Sequence, residues 1–408
     1  MIKRRNFWIT VSLLNLCIVA LYGFSLRTKF LVPVSFIDYR NVLSAHSHFA
    51  FGGWVALSLM ILFVYVLLPS AFSRRRLYQW IFAAIEITAL GMAFTFPFQG
   101  YAGPSFTFST LFLLAAFVFC WVFVNDIMLA KRHRVITILA IAALASFVLS
   151  TLGTLGITYV LLSKVPDSLL YRDSLYTFLH FQYNGFFTLS VFALLANELE
   201  KKLTPQLEKQ LYRFTLFLCL SIPPSLFLSL LWHPHQPLFQ VLAVAGCLLI
   251  VATLYFFFKL LPAVKESVRT FHPIAKTMFW MAMVSFLIKM LLQTGTLIPD
   301  LAHAIYGNRP VIIGFLHLVF LGLVTFYILS VYIQQNLFAM ERSFVRAAFY
   351  VFAAGILLNE LFLMTQGLGI LLKSASFIFP WLLWGAAAVL LSGSILLAAA
   401  RLTSKPVK

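Results

Sequence analysis

The sequence predicts an all-α membrane protein of twelve spanning helices, and three observations carry that prediction. Hydrophobic residues fill 62% of the 408 positions and charged ones only 10%, at a mean hydropathy of +0.96. A soluble chain carries roughly 25% charged residues, whereas the 44 phenylalanines here suit a lipid-facing surface. The apolar residues fall in runs of about 20, the length at which a helix crosses a bilayer. Basic residues crowd into alternate connections, 22 Lys and Arg in one set against 7 in the other, with Lys289 left inside a span. Cytoplasmic loops hold the excess of Lys and Arg. Both termini are therefore placed in the cytoplasm, in a multi-pass protein of the inner (plasma) membrane. The net charge of +18 is accounted for by this topology and gives no signal for nucleic acid.

In order, the predicted spans are 7–26, 47–68, 78–97, 106–129, 135–162 and 175–195, then 212–232, 238–261, 278–298, 311–333, 347–372 and 377–400. Span 1 follows Lys3-Arg4-Arg5 and lacks a small-residue cleavage site before Arg27, so it reads as a retained helix rather than a signal peptide. Spans 3, 5, 7, 9 and 11 each follow a basic stretch: Arg74 to Arg76, Lys131 to Arg134, Lys201 to Arg213, Lys265 to Lys276, and Arg342 with Arg346. No connection approaches the roughly 50 residues of a soluble domain, so residues 1–408 read as one integral membrane domain. Cys17, Cys120, Cys219 and Cys247 fall within spans and form no CxxC or CxxCH, which excludes covalent c-type haem and argues against disulfides.

The nine histidines are clustered. His133 and His272 fall in cytoplasmic loops and His303 in an outer one. His46 and His48 open span 2, His180 lies one turn into span 6, His233 and His235 close span 7, and His317 lies two turns into span 10. With the orientation above, these six share one layer about 10 Å deep near the outer face. On that side the acidic residues are Asp38, Asp167, Asp173 and Asp300. Six imidazoles in one layer with few carboxylates suit metal or haem ligation. Each also has a structural reading: a helix-start cap at His46 and His48, a polar turn at His233-Pro234-His235, a hydrogen-bonded core ring at His180 and His317. Gly52 beside His48, and Gly314 and Gly322 beside His317, either leave room for a flat macrocycle or let helices pack closely. Arg40 and Arg309, on the same side, could hold propionates by paired hydrogen bonds or serve as interfacial anchors.

Twelve spans with buried His on helices 2, 6, 7 and 10 resemble the catalytic subunit (subunit I) of the haem-copper oxidases, a superfamily that includes nitric oxide reductases. The NnrS-type membrane proteins of nitric oxide stress are a more distant likeness. The stretch Ile313-Gly314-Phe315-Leu316-His317 resembles the family's helix 10 motif around its second His. The resemblance implies a low-spin haem b between spans 2 and 10, ligated by His317 and by His48 or His46. It implies a second metal, copper or non-haem iron, on His180, His233 and His235. An electron donor, quinol or cytochrome, and chemistry on O2 or NO at an outer-side site follow from the same resemblance. The chain departs from the family at several points. Phe315 stands where the high-spin haem ligand is expected, Tyr183 falls one position early after His180, and Pro234 splits the helix 7 pair. The glutamate of nitric oxide reductases has no counterpart.

Glu86 in span 3, Lys289 in span 9 and Glu360 in span 11 are ionisable groups within spans, each a functional suspect. They suit a proton path or interhelical hydrogen bonds. Asp126 and Glu198 lie near helix ends and read as solvated. The competing class is a twelve-helix secondary transporter of metal, haem or a small solute using Glu86, Lys289 and Glu360, although the two halves of the chain show no similarity. A sensor or assembly protein holding haem without catalysis needs the same ligands.

Overall fold

In a computed structural model, the structure describes residues 2–36, 38–163, 167–233, 236–305, 308–372, 374 and 376–404. Among the described residues there is no strand, and twelve helices are long and apolar enough to cross a membrane. They are α1 Lys3–Leu31, α2 Tyr39–Leu67, α3 Arg76–Gln99, α4 Gly103–Leu129, α5 Arg134–Ser163 and α6 Ser168–Glu200. Then follow α7 Pro205–Ser229, α8 Pro237–Thr270, α9 Pro273–Gly295, α10 Arg309–Gln334, α11 Ser343–Leu371 and α12 Phe379–Thr403. All twelve predicted spans are present.

Their starts differ where polar residues enter the helix. Asp38 caps α2, its carboxylate accepting from the Asn41 backbone N–H at 2.9 Å. The helix therefore begins at Tyr39, and His46 and His48 sit about two turns inside it rather than at its opening. Asp167 does the same for α6, accepting from the backbone N–H groups of Leu169 and Leu170 at 3.0 and 2.9 Å. This puts His180 more than three turns from the start of α6. A hydropathy window passes over such capped polar turns.

The chain divides into two compact units. The first holds Met1–Ala130, Phe271–Ala282 and Thr325–Lys408; the second holds Lys131–Thr270 and Met283–Val324. Phenylalanines build the core of each, besides facing outward. In the first unit Phe63 and Phe123 rings lie 5.1 Å apart and Phe119 stacks on Phe123 at 5.6 Å. In the second, Phe192 packs against Phe214 at 4.8 Å and Phe286 at 4.7 Å. Such offset and edge-on pairs add dispersion and quadrupole attraction where lipid removes the usual hydrophobic drive. Trp80, Trp121, Phe98 and Phe377 remain exposed, as a bilayer permits.

Asp126 corrects the expectation of a solvated carboxylate. It is 2% exposed, paired with the Arg75 guanidinium, and accepts from the Tyr78 hydroxyl at 2.9 Å. Glu198, half-buried, pairs with Lys201 at 2.7 Å.

Candidate functional site

Three of the four π-helical stretches among the described residues begin within two residues of a histidine. They are Ala50–Ala56 after His48, Phe181–Phe187 after His180 and Leu318–Thr325 after His317. A π turn carries one residue more than an α turn and is common at functional sites. The same three places share a pattern, His-x-x-(Phe or Tyr)-x-Gly: His48 to Gly53, His180 to Gly185, and His317 to Gly322. The repeat falls once in every four spans, so a comparison of halves misses it, whereas a search in thirds would have found it.

The rings differ in how they are held. His48 donates Nδ1–H to the Ser44 carbonyl at 2.9 Å, and His317 donates Nδ1–H to the Ile313 carbonyl at 2.8 Å. In both, the acceptor lies four residues back on the same helix. A carbonyl only accepts, so Nδ1 carries the proton and Nε2 of the neutral ring carries the lone pair. One face of His48 is stacked on Phe96 at 4.5 Å, with Tyr101 edge-on at 5.7 Å.

His46 points elsewhere. Two residues before His48, its ring lies about 200° round the helix and donates Nδ1–H to the Val19 carbonyl of α1 at 3.0 Å. Its Cε1 stands 3.2 Å from where a Cβ on Gly23 would be, so the ring fills the notch left by that glycine. His46 thus pins α2 to α1.

His180 is fully buried, and both of its nitrogens are engaged. Nε2–H donates to the Ile222 carbonyl at 2.8 Å, and Nδ1 accepts from the Asn184 amide at 3.0 Å. The sequence sets this up through Pro223 and Pro224, after which α7 tightens to a 3-10 turn over Leu226–Ser229. In that turn the Leu226 N–H reaches the Pro223 carbonyl, and the Ile222 carbonyl accepts from the imidazole and, at 3.2 Å, from the Ser225 hydroxyl. His233 lies in the bend after α7, stacked on Trp232 at 3.8 Å, with Nε2 at 2.9 and 3.1 Å from the two Asp173 oxygens. Asp173 is one of the four acidic residues that the sequence places on that side. His235 lies outside the described residues. Among the described residues no three His, Cys, Asp or Glu side chains gather as a metal-binding group.

The glycines serve packing. A Cβ on Gly52 would stand 2.9 Å from the Phe112 ring, and one on Gly322 would stand 2.6 Å from Ser285 Oγ. Neighbouring side chains therefore fill the space that a macrocycle could have used at Gly52. Arg40 and Arg309 are exposed at the first turns of α2 and α10. Phe315 sets its ring edge-on to Tyr183 at 5.4 Å.

Of the three ionisable groups within spans, Glu86 accepts from the Asn15 amide at 2.7 Å, and the same amide donates to the Gly53 carbonyl in the π stretch of α2 at 2.8 Å. Trp54, the next residue, donates Nε1–H to Thr325 Oγ1 at 3.0 Å. Glu360 is 8% exposed, and one carboxylate oxygen accepts from Asn359 while the other has no hydrogen-bond partner among the described residues. Lys289 is 1% exposed, its Nζ 3.5 Å from Met290 Sδ. No protein-family model matches the chain, and no curated protein matches it in sequence.

Proposed function

We propose that this multi-pass membrane protein binds haem b, with His48 and His317 as the candidate imidazole ligands, and works in electron transfer or in reaction with a diatomic gas, O2 or NO. One observation carries the reading: both rings spend Nδ1 on the carbonyl four residues back. This fixes the ring and its tautomer, with the basic lone pair on Nε2, the tautomer that metal-ligating histidines held through Nδ1 use. Haem would supply one-electron chemistry when bound, with imidazole side chains holding it. His48 is preferred to His46, whose ring serves the contact between α1 and α2. A second metal, copper or non-haem iron, would require His180 to give up one of its two hydrogen bonds, so no step is assigned to it. In the accompanying topology both termini are cytoplasmic, the histidines lie toward the outside of the inner membrane, and a quinol or cytochrome delivers electrons.

The test is a reduced-minus-oxidised optical spectrum of protein purified in detergent after expression with ample haem. Wild type should show sharp haem b bands that His48→Ala and His317→Ala each abolish. Absence of haem from the wild type sinks the proposal. The secondary transporter then comes forward, supported by the buried carboxylate of Glu360 with one oxygen unpartnered.

A further inference from the structure

Two arginines from opposite ends of the chain reach the same turn of the first unit. Arg5, in the first turn of α1, donates Nη1–H to Gln335 Oε1 at 2.9 Å and Nη2–H to the Gln335 carbonyl at 3.4 Å. Arg401, in the last turn of α12, donates Nη1–H to the Leu337 carbonyl at 2.7 Å. Between these acceptors Asn336 adopts φ +54°, a left-handed conformation that Asn tolerates, and it turns the chain sharply after α10. Arg401 is only 6% exposed, and Arg5 is half-buried.

The charges do not balance. The two guanidinium groups are close enough to repel. Among the described residues no ion pair includes either one, and the carboxylates that pair elsewhere belong to Arg75, Arg132, Lys201, Lys202 and Arg269. The C-terminal end of α10 offers about half a negative charge, which leaves more than one positive charge uncompensated among the described residues. Among the described residues, the Nε atoms of both arginines are buried without a hydrogen-bond partner. Neutral hydroxyls stand close by, Tyr65 beside Arg5 and Tyr332 beside Arg401. An acceptor-rich anion fits this set, because the planar fork of a guanidinium presents paired donors to an oxyanion.

We propose that Arg5 and Arg401, converging on the Gln335–Leu337 turn, form a binding site for a phosphate-class anion, supplied by a phospholipid headgroup or by free phosphate. The site is separate from the histidines.

The test uses the full chain in a neutral detergent and reads thermal unfolding by tryptophan fluorescence. Sodium phosphate, phosphatidylglycerol and phosphatidylcholine are added in turn at matched ionic strength, with sodium chloride as reference, and phosphorus per chain is counted on the washed protein. Phosphate raising the midpoint above chloride identifies the free anion. Phosphatidylglycerol alone doing so, or about one phosphorus retained per chain, identifies the headgroup. Arg401→Gln should lose the shift and the retained phosphorus, while Arg76→Gln, at an exposed position, keeps both. Because Arg401→Gln could fail to fold, Arg5→Gln is the second variant, expected to weaken the apparent affinity at least about tenfold, as loss of a charge-assisted hydrogen bond does. Two outcomes overturn the proposal: wild type with neither retained phosphorus nor a shift, or Arg5→Gln responding as wild type does.

Discussion

His48 and His317 on the one hand, and His180 on the other, occupy the same place in a repeated six-residue pattern, each just ahead of a π-helical stretch. In the first two Nδ1–H donates to a carbonyl of the ring's own helix. In His180 a carbonyl 42 residues along the chain takes one nitrogen and the Asn184 amide the other. The difference teaches that position in the pattern fixes where an imidazole stands, while its neighbours fix what it can do. A ring that reaches a carbonyl of another helix joins helices; a ring whose Nδ1–H donates within its own helix carries its basic lone pair on Nε2.

The largest effect expected from this comparison is a complete loss of haem from His48→Ala or His317→Ala, set against retention in His180→Ala. The latter should instead lose stability. It leaves the Ile222 carbonyl with the Ser225 hydroxyl alone, orphans the Asn184 amide at about 1–3 kcal/mol and leaves a cavity besides. Thermal unfolding beside the haem spectrum separates the two outcomes. Haem loss from His180→Ala in a chain that still folds would erase the distinction and return His180 to the ligands.

Much of this was legible in the chain. Twelve apolar runs gave twelve helices, because bilayer thickness sets their length and no partner need be known. The histidines stood out for the same reason, as polar rings among apolar neighbours. The bonds from His48 to Ser44 and from His317 to Ile313 are local, available to a helical histidine in the right rotamer. What stayed hidden was tertiary. The Ile222 carbonyl becomes an acceptor only after Pro223 and Pro224 lead into a 3-10 turn. The ring of Phe112 comes to Gly52 from α4, and Asp126 is drawn inside by Arg75 and Tyr78. Runs of apolar residues predict helix but give no sign of a π register, which the packing around Gly185 exemplifies. A Cβ there would stand 2.2 Å from that of Ser146 on α5.

A smaller effect tests the surroundings of His180. Lys289 lies near enough for its charge to act on that ring and has no carboxylate partner among the described residues. An ammonium buried without a counter-ion opposes folding, and replacing buried charge with an apolar chain of similar size is often neutral or stabilising. Lys289→Met should therefore keep or raise the unfolding midpoint, by up to roughly 1–2 kcal/mol. A marked loss of stability would mean that Lys289 meets a bound anion or water that matters more than its desolvation.

The smallest effect concerns Arg40 and Arg309, which precede His48 and His317 on their helices. Both are exposed, and α2 and α10 carry His48 and His317 a little over two turns beyond the arginines. An exposed guanidinium is strongly solvated, and its ion pairs contribute about 0–1 kcal/mol. Arg40→Gln and Arg309→Gln should leave haem content unchanged and move the haem midpoint potential by less than the 59 mV that equals a tenfold change for a one-electron couple. Arginines that clamp buried propionates would behave otherwise. Removing one would leave a carboxylate unpaired in a poorly solvated place, a penalty of several kcal/mol, and the potential would fall by more than that limit. A potentiometric titration of the three proteins thus tells interfacial anchors from a propionate clamp, and a fall in only one variant would name the arginine that closes over its histidine.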